Sequence, residues 1–217
     1  MLNRGAARTR VKICGITRVE DGIAAARAGA DAIGLVFWPG TPRRVTLDQA
    51  RAIVAALPTF VTVVGLFVDP QPEAVNAALA AVPLDLLQFH GDESAEFCAR
   101  FARPYMRAVR MEAGTDLLEY AQRFSRAKAL LLDAHVPGQP GGTGRTFDWA
   151  GIPRDLPVPL VLSGGLTSEN VGRAVREVRP WAVDVSSGVE RSRGVKDPRK
   201  IIEFLRSVRR EDAGLSA

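Results

Sequence analysis

Eight short runs rich in Val, Ile and Leu recur along the chain and constrain its fold more than any other feature. They are VKIC (11–14), AIGLVF (32–37), FVTVVGLFV (60–68), DLLQF (85–89), YMRAVR (105–110), ALLLD (129–133), VPLVLS (158–163) and WAVDVS (181–186). Their lengths suit strands, and near-continuous hydrophobicity suits strands covered on both faces. Most of the links between them have helical spacing. RVEDGIAAARAGA places Ile23, Ala26 and Ala30 on one face, and TLDQARAIVAALP opens on a Thr46 cap and stops at Pro58. DESAEFCARFA and SENVGRAVREV each open with a capping residue, and DPRKIIEFLRSV closes the series. The link after the sixth run is the weak one, since FDWAGIPRD holds barely a turn of helix. Alternating strands and helices indicate a parallel sheet.

Such a count serves either an open doubly wound sheet or a closed (β/α)8 barrel, the TIM-barrel architecture. Polar and glycine residues follow nearly every run: Cys14-Gly15, Pro39-Gly40, Asp69, His90-Gly91, Asp133, Gly164-Gly165 and Ser186-Ser187-Gly188. In a barrel all these ends open on one face, whereas an open sheet gathers only those at its switch point. No GxGxxG follows the first run. The expected organisation is one α/β barrel over 11–208, between a loose basic tail (1–10) and a C-terminal tail (209–217).

The chain has 217 residues and a net charge of +5, and three of the first ten residues are arginine. A basic tail with scattered surface arginines accounts for that charge better than a nucleic-acid face, which clusters basic residues on the folded body. No stretch approaches the roughly 18 uninterrupted apolar residues of a membrane helix, and the N-terminus lacks the apolar core of a secretory signal. Cys14 and Cys98 stand far apart without CxxC spacing, so neither a metal site nor a disulfide framework is implied, and a reducing cytoplasm fits.

The last two strand ends form a candidate anion site. Gly164 and Gly165 put no side chain between their amides and a ligand, and Ser186 and Ser187 add hydroxyls and amides. Gly188 allows a tight turn into a short helix. One glycine pair is usually an ordinary turn. Two glycine-bearing turns after the seventh and eighth strands match the usual phosphate site of a barrel. The implied partner is a phosphorylated small molecule.

Two other strand ends carry groups able to move protons. A cysteine ending an apolar strand is most often inert packing, and its thiol, with a free pKa of about 8.5, needs electropositive neighbours to act as a base. Lys12, one pleat from Cys14, and Arg43 are candidates for that role. Asp133 alone reads as a loop organiser, but paired with Cys14 across a barrel mouth it forms an acid facing a base. Arg43 in PGTPRRV is a solvated charge or a planar fork for a substrate carboxylate. His90 is a structural histidine or a site-lining group. Cys98 has helical spacing and reads as packing, and Trp149 and Trp181 as core or rim.

The segments VKICGITRVEDGIAAARAGADAIGLVF, TPRRV, LQFHGDES, LLLDA with GGTGRTFDW, LSGGLTSENV, and VDVSSGVE with GVKDPRKI together resemble the phosphoribosylanthranilate isomerases of tryptophan biosynthesis, from about Val11 to Phe204. The resemblance implies a cofactor-free, metal-free barrel that performs an Amadori rearrangement. It puts the family's general base on Cys14, its general acid on Asp133 and its carboxylate-binding arginine on Arg43. Its phosphate loops fall on Gly164-Gly165 and Ser186-Ser187-Gly188. His90 and Asp184 also stand at familiar positions, without a definite role. Ser163 replaces the more usual alanine and would add a hydroxyl near the phosphate. The oligomeric state is left as monomer or homodimer.

Two rival readings remain: the nearest is another isomerase, and the second is a non-catalytic barrel from another class. The analogous isomerase of histidine biosynthesis has a second phosphate loop after its third strand and an aspartate base. Here that strand ends in LFVD without a glycine pair, and the first ends in cysteine. A non-catalytic barrel that binds a phosphorylated metabolite has no need of both Cys14 and Asp133.

Overall fold

A computed structural model describes residues 8–112, 114–134, 148–153 and 155–215. The basic segment through residue 7 and most of the glycine-rich loop after the sixth strand lie outside the described residues. Eight parallel strands close into a barrel in sequence order: β1 (Arg10–Cys14), β2 (Ala32–Val36), β3 (Thr62–Phe67), β4 (Leu86–Phe89), β5 (Tyr105–Met111), β6 (Leu130–Ala134), β7 (Leu160–Leu162) and β8 (Ala182–Val185). Pairing of β8 with β1 completes the ring, with Lys12 opposite Asp184.

Five of the helices coincide with the expected segments: α1 (Val19–Ala28), α2 (Leu47–Ala55), α4 (Ala95–Ala99), α6 (Val171–Val178) and α7 (Pro198–Leu215). Helix α2 has a full capping box: Gln49 N–H donates to the Thr46 hydroxyl, and Thr46 N–H donates to the Gln49 side chain. Helix α3 (Pro72–Ala81) opens on proline, and α5 (Leu117–Arg123) is capped by Asp116, whose carboxylate accepts from the amides of Leu118 and Glu119. After β6 the described residues 148–153 form turns and no helix.

Two boundaries differ from expectation. Strand β1 starts at Arg10, inside the proposed tail, because Asp31 receives the Val11 amide at 2.9 Å and draws the chain into the sheet. The C-terminal segment is helix rather than tail, since α7 continues to Leu215. Its last turns are tied down: Asp212 accepts from Thr9 N and Oγ1 at 2.8 and 2.7 Å, and Glu211 pairs with Arg176. A hairpin of β9 (Glu190–Ser192) and β10 (Val195–Lys196) also follows β8 and was not anticipated.

The strand faces divide the core. Ile13, Ile33, Leu35, Phe67, Leu87 and Phe89 belong to the larger apolar cluster shared with the helices. Cys98, fully buried, and Trp149 belong to it too, which makes both packing residues. Val64, Met106, Ala108, Leu131, Val161 and Ala182 form a second cluster toward the N-terminal ends of the strands. Full burial of the Val, Leu and Met side chains in it contributes about 1.5–3 kcal/mol each. This apolar plug gives the opposite end of the barrel a rigid floor.

Candidate active site

Alternation along a strand puts residues i and i+2 on the same face. The polar residues in the strands obey that period: Lys12 with Cys14, Gln88 with His90, and Asp184 with Ser186. Cys14, Arg43, His90, Asp133, Gly164, Gly165, Asp184, Ser186 and Ser187 line one cleft at the C-terminal ends of the strands. Gly188 does not line it. A Cβ there would collide with the Leu166 carbonyl, so glycine lets the 3-10 turn Ser187–Val189 lie against the loop after β7.

Below the thiol lies a buried ion pair. Lys12 Nζ donates to Asp184 Oδ1 at 2.8 Å, with both side chains nearly inaccessible, and Ser163 Oγ donates to Asp184 Oδ2 at 3.2 Å. The extra hydroxyl of Ser163 thus bonds Asp184, and Ser163 also lines the cleft beside Gly164 and Gly165. Burial pulls the Lys12 ammonium down, but the Asp184 carboxylate and the neighbouring thiol outweigh it and hold Lys12 above the ordinary lysine value. For Cys14 the balance is reversed. Burial pushes the thiol up, and the hydrogen bond and charge of Lys12 recover only part of that shift. The electropositive neighbour is present, but in the free protein desolvation wins.

On the other side of the cleft His90 Nε2 stands 3.2 Å from Asp133 Oδ2, and Gln88 Nε2 stands 3.0 Å from His90 Nδ1. With the amide NH2 donating to Nδ1, the ring proton belongs on Nε2 and points at the carboxylate. This contact makes His90 a partner of Asp133 as well as a lining group. Gln88 is the unanticipated member: buried and mid-strand, it carries no sequence signal beyond its place two residues before His90.

Arg43 does not stand free. Its Nε and Nη2 donate to Glu190 Oε1 and Oε2 at 2.8 and 3.0 Å. The Lys196 ammonium, fully buried, donates to Glu190 Oε1 and to the Ser186 carbonyl, each at 3.0 Å. Burial pushes the Glu190 carboxyl up, but bonds from Arg43 and the charge of Lys196 hold it below the usual carboxylate range. At the anion end, Gly164 and Gly165 have φ of +85° and +64°, a region that favours glycine. A side chain on Gly164 would also strike the Ala134 backbone.

The arrangement offers a thiol, a carboxyl, an arginine fork and glycine- and serine-rich loops around one cleft. Among the described residues no group of three or more His, Cys, Asp or Glu side chains is placed to hold a metal ion, and no helix is long and apolar enough to cross a membrane.

Comparison with known proteins identifies the family of the barrel. Residues 11–207 match the family model described as N-(5'phosphoribosyl)anthranilate (PRA) isomerase. The N-(5'-phosphoribosyl)anthranilate isomerase of Pseudomonas syringae pv. tomato is 58% identical over 199 residues, covering 92% of this chain and 97% of that protein. That of Thiobacillus denitrificans is 60% identical over 196 residues, covering 90% and 96%. The crystal structure of the phosphoribosyl anthranilate isomerase from Thermotoga maritima superimposes with a TM-score of 0.86 at 41% identity, covering 93% of this chain and 98% of that one. Another structure of such an isomerase, in complex with reduced 1-(o-carboxyphenylamino)-1-deoxyribulose 5-phosphate, has a TM-score of 0.82 at 40% identity, with coverage of 93% and 98%. With nearly the whole barrel matched, in sequence and in fold, the chain belongs to the N-(5'-phosphoribosyl)anthranilate isomerase family.

Proposed function

We propose that this chain isomerises N-(5-phosphoribosyl)anthranilate to 1-(2-carboxyphenylamino)-1-deoxyribulose 5-phosphate in tryptophan biosynthesis, without a cofactor, as a monomer or homodimer of the cytoplasm. The observation that carries the reading is that Cys14 and Asp133 open onto the same cleft, three strands apart around the ring. In this mechanism Asp133 is the general acid and Cys14 the general base.

Asp133 gives its proton to the ribose ring oxygen while the anilino nitrogen pushes electrons toward C1. The ring C–O bond breaks and a protonated Schiff base forms. The Cys14 thiolate then takes the proton from C2, whose electrons neutralise the iminium and leave an enolamine. Tautomerisation to the ketone completes the rearrangement, and the thiol and carboxylate exchange protons with solvent to reset. The positive iminium forms beside Cys14, where it favours the thiolate that burial opposes. Arg43 holds the anthranilate carboxylate, and Gly164, Gly165, Ser186 and Ser187 hold the phosphate. Anchoring both ends fixes the sugar between acid and base.

Steady-state kinetics on phosphoribosylanthranilate, beside the corresponding histidine-pathway substrate, test the assignment. Turnover of the first, with loss of orders of magnitude in Cys14→Ala and in Asp133→Asn at unchanged circular dichroism, is the expected result. Preference for the second substrate, or full activity in either variant, overturns it. Binding of substrate without turnover would identify a phosphometabolite-binding barrel instead.

A further inference from the structure

The guanidinium of Arg43 has two hydrogen-bonding edges, and one is already occupied. Glu190 takes Nε and one hydrogen of Nη2 in a bidentate pair. The Nη1–Nη2 edge remains, and it matches a second carboxylate in the same bidentate fashion. The stem is fixed as well: a Cβ built on Gly15 would stand 2.7 Å from Arg43 Cδ, so the arginine crosses directly over that glycine. Glu190 in turn is held by Lys196, whose ammonium also reaches the Ser186 carbonyl at 3.0 Å. The hairpin that carries both residues is docked on the first two loops. Thr17 Oγ1 donates to the Gly194 carbonyl at 2.5 Å, Lys196 N donates to Asp21 at 3.1 Å, and Gly194 packs against the Pro42 carbonyl.

We infer that Glu190 and Lys196 are positioning residues: they form a buried strut that presets the outer edge of Arg43 for the substrate carboxylate and ties it to the phosphate loop at Ser186. This deepens the proposed function and rests on its reading of Arg43. Glu190 and Lys196 carry opposite charges, so the cluster offers the substrate the single positive charge of Arg43. An arginine held on one edge loses less side-chain entropy when it binds at the other. The strut also explains a charged pair buried where apolar residues would pack, since a buried ion pair is weak evidence for stability by itself.

The test is a double variant, Glu190→Leu with Lys196→Met, which keeps the net charge of the cluster and removes the strut. Replacement of a buried pair by apolar residues of similar size is commonly tolerated, and thermal denaturation checks folding. Two substrates are generated in situ by condensing ribose 5-phosphate with anthranilate or with aniline, which lacks the carboxylate. The expected result is a KM for the anthranilate compound raised about ten- to a hundredfold with a much smaller change in kcat, and a loss of preference over the aniline compound by a similar factor. Glu190→Gln alone, which keeps an acceptor for Nε, should fall between wild type and the double variant. It carries the same test if the double variant does not fold. A folded variant that retains the wild-type preference overturns the inference. Arg43→Ala separates the two levels: if it too leaves the preference intact, the carboxylate role of Arg43 has failed. If it abolishes the preference while the strut variants do not, only the strut has failed.

Discussion

Cys14 is paired with Gly34 across the β1–β2 ladder, and a Cβ on Gly34 would stand 2.8 Å from the Cys14 sulfur and 3.2 Å from Lys12 Cε. The bare Cα of Gly34 therefore creates the space in which the thiol and its lysine neighbour lie. Gly34→Ala is expected to displace the sulfur and lower kcat at least about tenfold, while the melting temperature falls by only a few degrees. Kinetics and thermal denaturation on the same preparation check this. An alanine variant of wild-type turnover would show that the thiol has room to spare.

The titration of Cys14 is directly measurable. Because burial dominates, the rate of alkylation of the free protein by iodoacetamide should keep rising with pH beyond the ordinary thiol value of about 8.5. Lys12→Met, which removes the one neighbour that most favours the thiolate, should move that rise to still higher pH. Cys98 does not confuse the reading. Burial pushes its thiol up to about 12, and no part of it is accessible. Loss of labelling in Cys14→Ala confirms the site, and a rise centred below neutrality would contradict the burial argument.

Acid sensitivity should trace in part to Asp31. Burial raises its carboxyl, but the Arg8 and Val11 bonds outweigh that and hold it below the ordinary value. A folded pKa lower than the unfolded one gives stability that is complete above the unfolded value and is lost as pH falls through the folded one. Urea midpoints for Asp31→Asn should therefore drop less between pH 7 and about pH 3 than those of wild type. Equal pH dependence in the two proteins would remove Asp31 from the account.

Truncation after Val208 tests the corrected C-terminus. It deletes Asp212, the acceptor of two bonds from Thr9, and Glu211, the partner of Arg176. Loss of the Thr9 bonds should cost about 1–3 kcal/mol, read as a lower urea midpoint. Removal of a true tail would leave it unchanged.

The barrel was legible because its signals are local. Runs such as VTVVGLF and ALLLD carry their own strand period, Thr46 announces α2, and glycine after β7 and β8 marks the anion end. The C-terminal extent of α7 is not legible locally because EDAGLSA has only isolated apolar residues and a glycine, and what holds Asp212 is a bond across 203 residues to Thr9. Nothing local distinguishes Glu190 in GVERSRG from a solvated acid. Its partner Arg43 lies 147 residues earlier, and only closure of the ring brings them together.

The sequence by itself determined the alternation of strand and helix, the closed ring, and the identities of Cys14 and Asp133 as groups at strand ends and of Arg43 in the loop after β2, because hydrophobic period and turn chemistry act over a few residues. Tertiary structure alone decided which charges meet: Lys12 with Asp184, His90 with Asp133, and Arg43 with Glu190 and Lys196. Those pairings set the proton affinity of the thiol and the orientation of the guanidinium. Electrostatic energy depends on separation and burial in space, which distance along the chain does not encode.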